Sequence, residues 1–372
     1  MSTRKHKHTE PLLRVVKYEG ITRRERWIVR LIAVLSALVV SGILIVLLAG
    51  INPIKVYATM FRASFSSPRL FWNLLRDSST LLLLGVGLAP AFAMRFWNIG
   101  AEGQMLVGAI ATAFCMKYFT GMPTILLIIV MIIASLVAGA LWGLLPGVFK
   151  AYWNTNETLF TLMMNYIAIQ FTAFMVAQWE VGIGNNTVGV INADGHEGWL
   201  PGLFTSEYNK DFGINVLLVL IVTVLMFVYL RYTKHGYEIS VIGDSINTAR
   251  YAGINVKKVY IRTMLLSGAV CGLAGFLAVS GVGHSISTST AGGRGFTAII
   301  VAWLAKFNTF SMIAIAVLLT FLDQGALEIA SSCNVNTYVS KIITGVILFF
   351  LLAGEFFSSY RVKVRARHKK QA

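Results

Sequence analysis

Asn98, Glu102 and Gln104 crowd into an otherwise apolar stretch, RFWNIGAEGQMLVGA, residues 95–109. Amides and a carboxylate are costly where a chain enters hydrocarbon, so they mark either a solute path or an internal pair. Asn165 and Gln170, in NETLFTLMMNYIAIQ (156–170), add two more amides. Together these groups either hydrogen-bond a polar solute or bridge helices. Glu102 follows Arg95 by seven residues, about two helical turns, so the two can close on each other if the segment is helical throughout. Asp323 and Glu328 sense protons in one reading and are solvated at a boundary in the other.

A second polar stretch, residues 232–262, lies between apolar runs and carries six basic residues counting Arg231. Its acids are Glu238 and Asp244. Asp244 or Ser245 suits an N-cap, Ile246–Ala252 a short helix, and Gly253 the C′ position where a left-handed residue ends a helix. Such a helix sets Ile246 and Ala249 on one side, with Asn247 and Arg250 off it. It is either a solvated surface helix or a docking element for a partner.

Enzyme signatures are missing. HExxH, GxSxG and any Cys/His cluster of ligand spacing are absent, and His284-Ser285 has no partner carboxylate at a recognisable spacing. GxxxxGK[ST] is also absent, so ATP, if it drives this protein, belongs to another subunit. Cys115, Cys271 and Cys333 lie in or beside apolar runs and read as packing residues.

The elements that must position these groups are membrane spans. Hydrophobic residues make up 56% of the chain and charged ones 13%, with a mean hydropathy of +0.70, which excludes a soluble domain. Runs of about 18 or more apolar residues recur, the length that crosses hydrocarbon as helix. Ten spans are expected, beginning near 30, 80, 96, 123, 154, 214, 263, 297, 311 and 338. The segment 51–79 reads as an outer stretch, partly helical and lying along the interface. Span 8 is too short to face lipid alone, so a half-length helix lined by protein is expected after the polar loop 284–296. Spans 4–5 and 7–8 echo each other (GALWGLLPGVF with NTNETLF, GAVCGLAGFLA with GGRGFTA). An inverted duplication explains this, and so does chance likeness between small-residue helices.

The net charge of +16 suggests nucleic acid until its placement is examined. Most of the 32 Lys and Arg residues fall in the arm 1–29, the 233–262 loop, the tail 355–372 and the short turns on that same side. This is the positive-inside asymmetry of a multi-span protein with both termini cytoplasmic. His6 and His8 read as solvated tail, and no cleavable signal peptide is expected ahead of the first span.

MRFWNIGAEGQMLVGA (94–109), NETLFTLMMNYIA (156–168), GYEISVIGDSINTARYAGINVKKVYIRTMLLSGAVCGLAG (236–275) and GRGFTAIIVAWLAKFN (293–308) resemble the permease subunits of ABC importers. The likeness is to the branched-chain amino acid and simple-sugar permease family, in its nucleoside-import branch, and covers about 30–354. It implies an all-α polytopic permease of the cobalamin-type (type II) importer fold, in a bacterial plasma membrane. It also implies a coupling helix in 233–262, with Ile246, Ala249, Arg250 and Gly253 facing an ATPase subunit. Asn98, Glu102, Gln104, Asn165 and Phe296 then line the substrate path. Implied partners are an ABC ATPase that binds ATP and Mg, a second permease chain, an extracytoplasmic binding lipoprotein and lipid; this chain holds no cofactor. A simple-sugar permease and an ion-coupled secondary transporter remain as alternatives, the latter with Glu102 as its carboxylate.

Overall fold

The structure, a computed structural model of the chain, describes residues 13–17, 22–182, 184, 188–202 and 213–364. His6 and His8, and the terminal residues Ser2 and Gln371 expected in the cytoplasm, lie outside the described residues. The elements are β1 (Leu13–Lys17), α1 (Arg23–Ala49), α2 (Pro53–Phe65), α3 (Pro68–Ala93), α4 (Ala101–Tyr118), α5 (Thr124–Trp153), α6 (Glu157–Trp179) and α7 (Gly213–Tyr232). They continue with α8 (Lys234–Asp244), α9 (Ile246–Tyr251), α10 (Val256–Ala278), a π-helical turn (Val279–Gly283), α11 (Arg294–Leu304), α12 (Thr309–Ser332), α13 (Thr337–Ser359) and β2 (Tyr360–Val364). With no water in hydrocarbon to satisfy backbone groups, apolar runs of this length are stable there as helices.

Among the described residues, eight helices are long and apolar enough to cross a membrane, and the protein is a multi-span membrane protein. Each of the ten expected spans has a helix, but two fall short of that standard. They are α4, whose first turns are polar, and α11, an apolar helix of 11 residues. The segment 51–79, expected to be partly helical, is helical in large part. Ser67 accepts a hydrogen bond from the Leu70 N–H and Pro68 takes the first turn, so α3 begins twelve residues before the expected Thr80. In the basic loop a further helix, α8, precedes the expected one.

By its internal packing the chain divides into two compact units. One comprises residues 1–61 and 325–372. In it α1 packs along α13, and a capping box starts α1: Thr22 and Glu25 each accept from the other's backbone N–H. The basic arm and tail are not wholly irregular, since β1 and β2 pair antiparallel with Leu13 opposite Val364.

The other unit, residues 62–324, is built around α10, which packs on α3, α4 and α5. Glycines set these distances. A Cβ on Gly139 of α5 would collide with the Gly268 carbonyl oxygen of α10. One on Gly272 would meet the Ser135 carbonyl oxygen, and one on Gly275 that of Met105 in α4. Backbones touch because side chains are missing at the crossing points, which gains dispersion contact where no hydrophobic force acts between helices. α3 and α10 are mostly enclosed, while α5 and α7 turn apolar side chains such as Ile125, Ile133, Leu217 and Leu225 outward, as lipid-facing helices do.

Candidate functional site

α3 ends where Arg95 adopts a left-handed conformation, φ 59°, and the Phe96 N–H reaches back to the Ala91 carbonyl at 2.9 Å. Residues 95–100 then run without helical bonding into the bundle. Each exposed backbone group there needs a partner, because an unpaired one costs about 1–3 kcal/mol when buried. The Ile99 N–H donates to Thr161 Oγ1 at 3.1 Å, and the Ile99 carbonyl accepts from Asn165 Nδ2 at 2.8 Å. Asn165 Oδ1 in turn accepts from the Gly103 N–H at 2.8 Å, serving the first turn of α4. Asn98 Oδ1 accepts from the Gly100 N–H at 2.9 Å, and its Nδ2 donates to Ser267 Oγ of α10 at 3.1 Å. Gln104 lies against Asn98 with two longer amide contacts of 3.4 Å.

Glu102 does not pair with Arg95. Its carboxylate oxygens accept from the Gly293 and Gly295 N–H groups, each at 2.7 Å, and the residue is 5% exposed. Gly293, left-handed at φ 79°, is the N-cap of α11 and has no side chain of its own to cap with. Glu102 supplies the missing cap from another helix while sitting in the first turn of α4. One carboxylate therefore meets the positive ends of two helix dipoles. Gly295 is required on steric grounds too, since a Cβ there would collide with the Glu102 backbone N–H.

Asn98, Glu102, Gln104 and Asn165 are thus brought into one buried polar layer, and their hydrogen bonds run to the chain itself. Phe296 stands apart on α11 and is 41% exposed. Thr161 and Ser267 belong to the layer and were missed. Thr161 precedes Asn165 by one helical turn, a spacing that could have flagged it.

A second ionic cluster was also missed. Asp77 of α3 pairs with Arg76 at 2.9 Å, accepts from Gln324 Nε2 of α12 at 3.2 Å and lies 3.8 Å from the Arg294 guanidinium. The signal was the Ser67-Pro68 helix start, which places Asp77 inside α3 rather than in a loop.

At the other end of α10, α9 has the expected boundaries to within one residue. Ser245, not Asp244, is the N-cap, accepting from the Thr248 N–H at 3.2 Å. Gly253, φ 76°, donates to the Arg250 carbonyl, and the Ile254 N–H reaches the Ala249 carbonyl at 2.9 Å, a Schellman ending. Ala249 is fully buried, among Met94, Phe96, Ile242 and Tyr260. It fastens α9 to its own bundle and presents nothing outward. Ile246, Arg250 and Tyr251 are exposed, Tyr251 at 92%. α8 adds the close contact of Gly243 with the Ala93 carbonyl and the Arg262–Glu238 ion pair at 2.9 Å. The exposed end is held on a rigid base.

Glycine-packed helices, a segment that leaves the helical ladder within the bundle and a short apolar helix, joined by a buried polar layer, make up a polytopic helical bundle. The family model for the branched-chain amino acid transport system permease component matches residues 70–352, and the chain belongs to that family of ABC transporter permeases. It is similar to the guanosine ABC transporter permease protein NupP of Bacillus subtilis, 30% identical over 94% of this chain and 99% of that protein. The nucleoside ABC transporter permease protein NupB of Lactococcus lactis is also 30% identical, over 83% and 86% of the two chains. The glucose ABC transporter permease protein TsgB13 of Haloferax volcanii is 28% identical over 90% and 89%. These relatives are transport subunits, and this chain is a permease rather than an enzyme.

Proposed function

We propose that this chain is the membrane-spanning subunit of an ATP-driven nucleoside importer in a bacterial plasma membrane, with both termini cytoplasmic. The observation that carries the reading is the end-to-end likeness to a guanosine permease, joined by a second nucleoside permease at the same identity. An ABC ATPase supplies ATP and Mg binding, an extracytoplasmic lipoprotein delivers the solute, and a second, homologous permease chain completes the pathway. α9 is the coupling helix. Its exposed Ile246, Arg250 and Tyr251 meet the ATPase, and closure of the ATPase dimer tilts the α8–α9 base to switch the bundle between two states. The polar layer of Asn98, Glu102, Gln104 and Asn165 is the hub at which the broken segments of the pathway are joined.

A simple-sugar substrate is the second reading, favoured by the glucose permease relative. Ion coupling has less support, because Glu102, the carboxylate it needs, already accepts two backbone N–H groups. The test is uptake of labelled guanosine, uridine and glucose by cells carrying the permease with its partner subunits. Nucleoside uptake that stops when the ATPase is inactivated is expected. Glucose uptake alone would move the assignment to sugars, and uptake surviving ATPase inactivation would favour ion coupling.

A further inference from the structure

Arg294 opens α11 as its first residue, and none of its guanidinium nitrogens hydrogen-bonds a protein acceptor among the described residues. The nearest carboxylate oxygen, on Asp77, is 3.8 Å away, outside hydrogen-bond range. The side chain is 39% exposed and lines a cavity of about 210 Å³ with Ser285, Ser287 and Thr290, against an aliphatic wall from Ala278 and Val282. The helix N-terminus is not the attraction here, since Glu102 already accepts from Gly293 and Gly295. What the cavity offers is a planar fork of N–H donors beside two hydroxyls with capacity left over. Thr290 Oγ1 accepts from the Ser287 N–H at 2.8 Å and keeps its proton to donate, and Ser287 Oγ lies 3.0 Å from Ser289 Oγ and 3.4 Å from Thr290 Oγ1.

Charge narrows the ligand. Arg294 is the charged group on the cavity wall, and the Asp77 carboxylate 3.8 Å from it carries the opposite charge. A charge already matched by a neighbour favours an uncharged solute over a phosphorylated one. Its volume is below the roughly 300–1,000 Å³ of pockets that enclose a whole small molecule. One ring fits.

We propose that Arg294, with Ser287 and Thr290, forms a recognition subsite for the carbonyl and hydroxyl oxygens of an uncharged polar solute in transit. Resting on the nucleoside reading for its identity, that solute presents one ring at a time, base or ribose. The guanidinium fork takes two acceptors on one edge, and the hydroxyls take the rest.

The test measures saturating uptake per membrane copy of the permease, in cells carrying the complete importer. Guanosine, uridine and glucose are the probes, and each variant is judged on whichever the wild type imports. Both Arg294→Gln and Arg294→Lys are expected to lower uptake about tenfold or more, because lysine keeps the charge and loses the fork. If lysine restores wild-type uptake, Arg294 is only a counter-charge for Asp77 and the subsite is overturned. Wild-type uptake by the glutamine variant overturns it as well. Should both variants fail to reach the membrane, Ser287→Ala decides, since it keeps the turn in which the Ser287 N–H donates to Thr290 Oγ1 at 2.8 Å: a fall in uptake per copy supports the subsite and unchanged uptake removes it. A wild type that imports glucose but neither nucleoside sinks the nucleoside reading, while the Arg294 comparison is still read on glucose.

Discussion

The polar layer around Glu102 and the exposed turn at α9 contain similar kinds of residue and treat them oppositely. In the layer, Asn98, Glu102 and Asn165 are almost wholly buried, and their polar atoms hold backbone segments that left the helical ladder. At α9 the backbone caps itself through Ser245 and Gly253, leaving Arg250 and Tyr251 at the surface. The contrast teaches that a broken helix inside the bundle consumes polar side chains, whereas a well-capped helix at its surface sets them free. Mutations in the first region should therefore act on folding, and mutations in the second on partnership.

The largest effect is expected from Glu102→Leu. Two N–H groups, Gly295 buried and Gly293 half-buried, lose a charged acceptor, at about 1.5–3 kcal/mol each. The variant should lose most of its monodisperse peak in detergent size-exclusion chromatography; an intact peak would show that α11 does not depend on Glu102. Asn165→Leu comes next, breaking bonds to Ile99 and Gly103 at a cost of about 2–4 kcal/mol in total. A lower melting temperature is expected along with lower uptake. Normal stability with abolished uptake would instead make Asn165 a solute contact.

Gly253→Val tests the α9 ending alone. No neighbouring atom lies within 4 Å of the added Cβ, so the cost is the left-handed backbone, about 1–2 kcal/mol. Amide exchange should speed up around 246–254 and nowhere else; unchanged exchange there would mean the Schellman turn is not needed. Smallest in stability is the pair Arg250→Glu and Tyr251→Ser, expected within about 0.5 kcal/mol of wild type because both side chains are exposed. Co-purification of the ATPase should nonetheless be lost. Retained binding in both variants would mean that α9 is a solvated surface helix. Ala249→Asp cannot serve this purpose, since a carboxylate at that buried position disrupts the α9 base itself.

The sequence by itself determined the membrane class, the helical runs and the start and stop of α9. Each follows from local physics: apolar length for the spans, a serine cap and a glycine at positive φ for the short helix. It also set apart Asn98, Glu102, Gln104 and Asn165, because polar groups in apolar runs stand out without any structure. Only the tertiary structure decided what those groups do. That Glu102 caps α11 depends on residues 191 and 193 positions away, and no spacing rule reaches so far. The same holds for Ala249, which looks outward on a helical projection until α8 and α10 close over it, and for Arg294, which local pattern leaves as one basic residue among glycines. Burial and long-range hydrogen bonding arise from which helices meet, and that is settled by packing across the whole bundle rather than within any one stretch of chain.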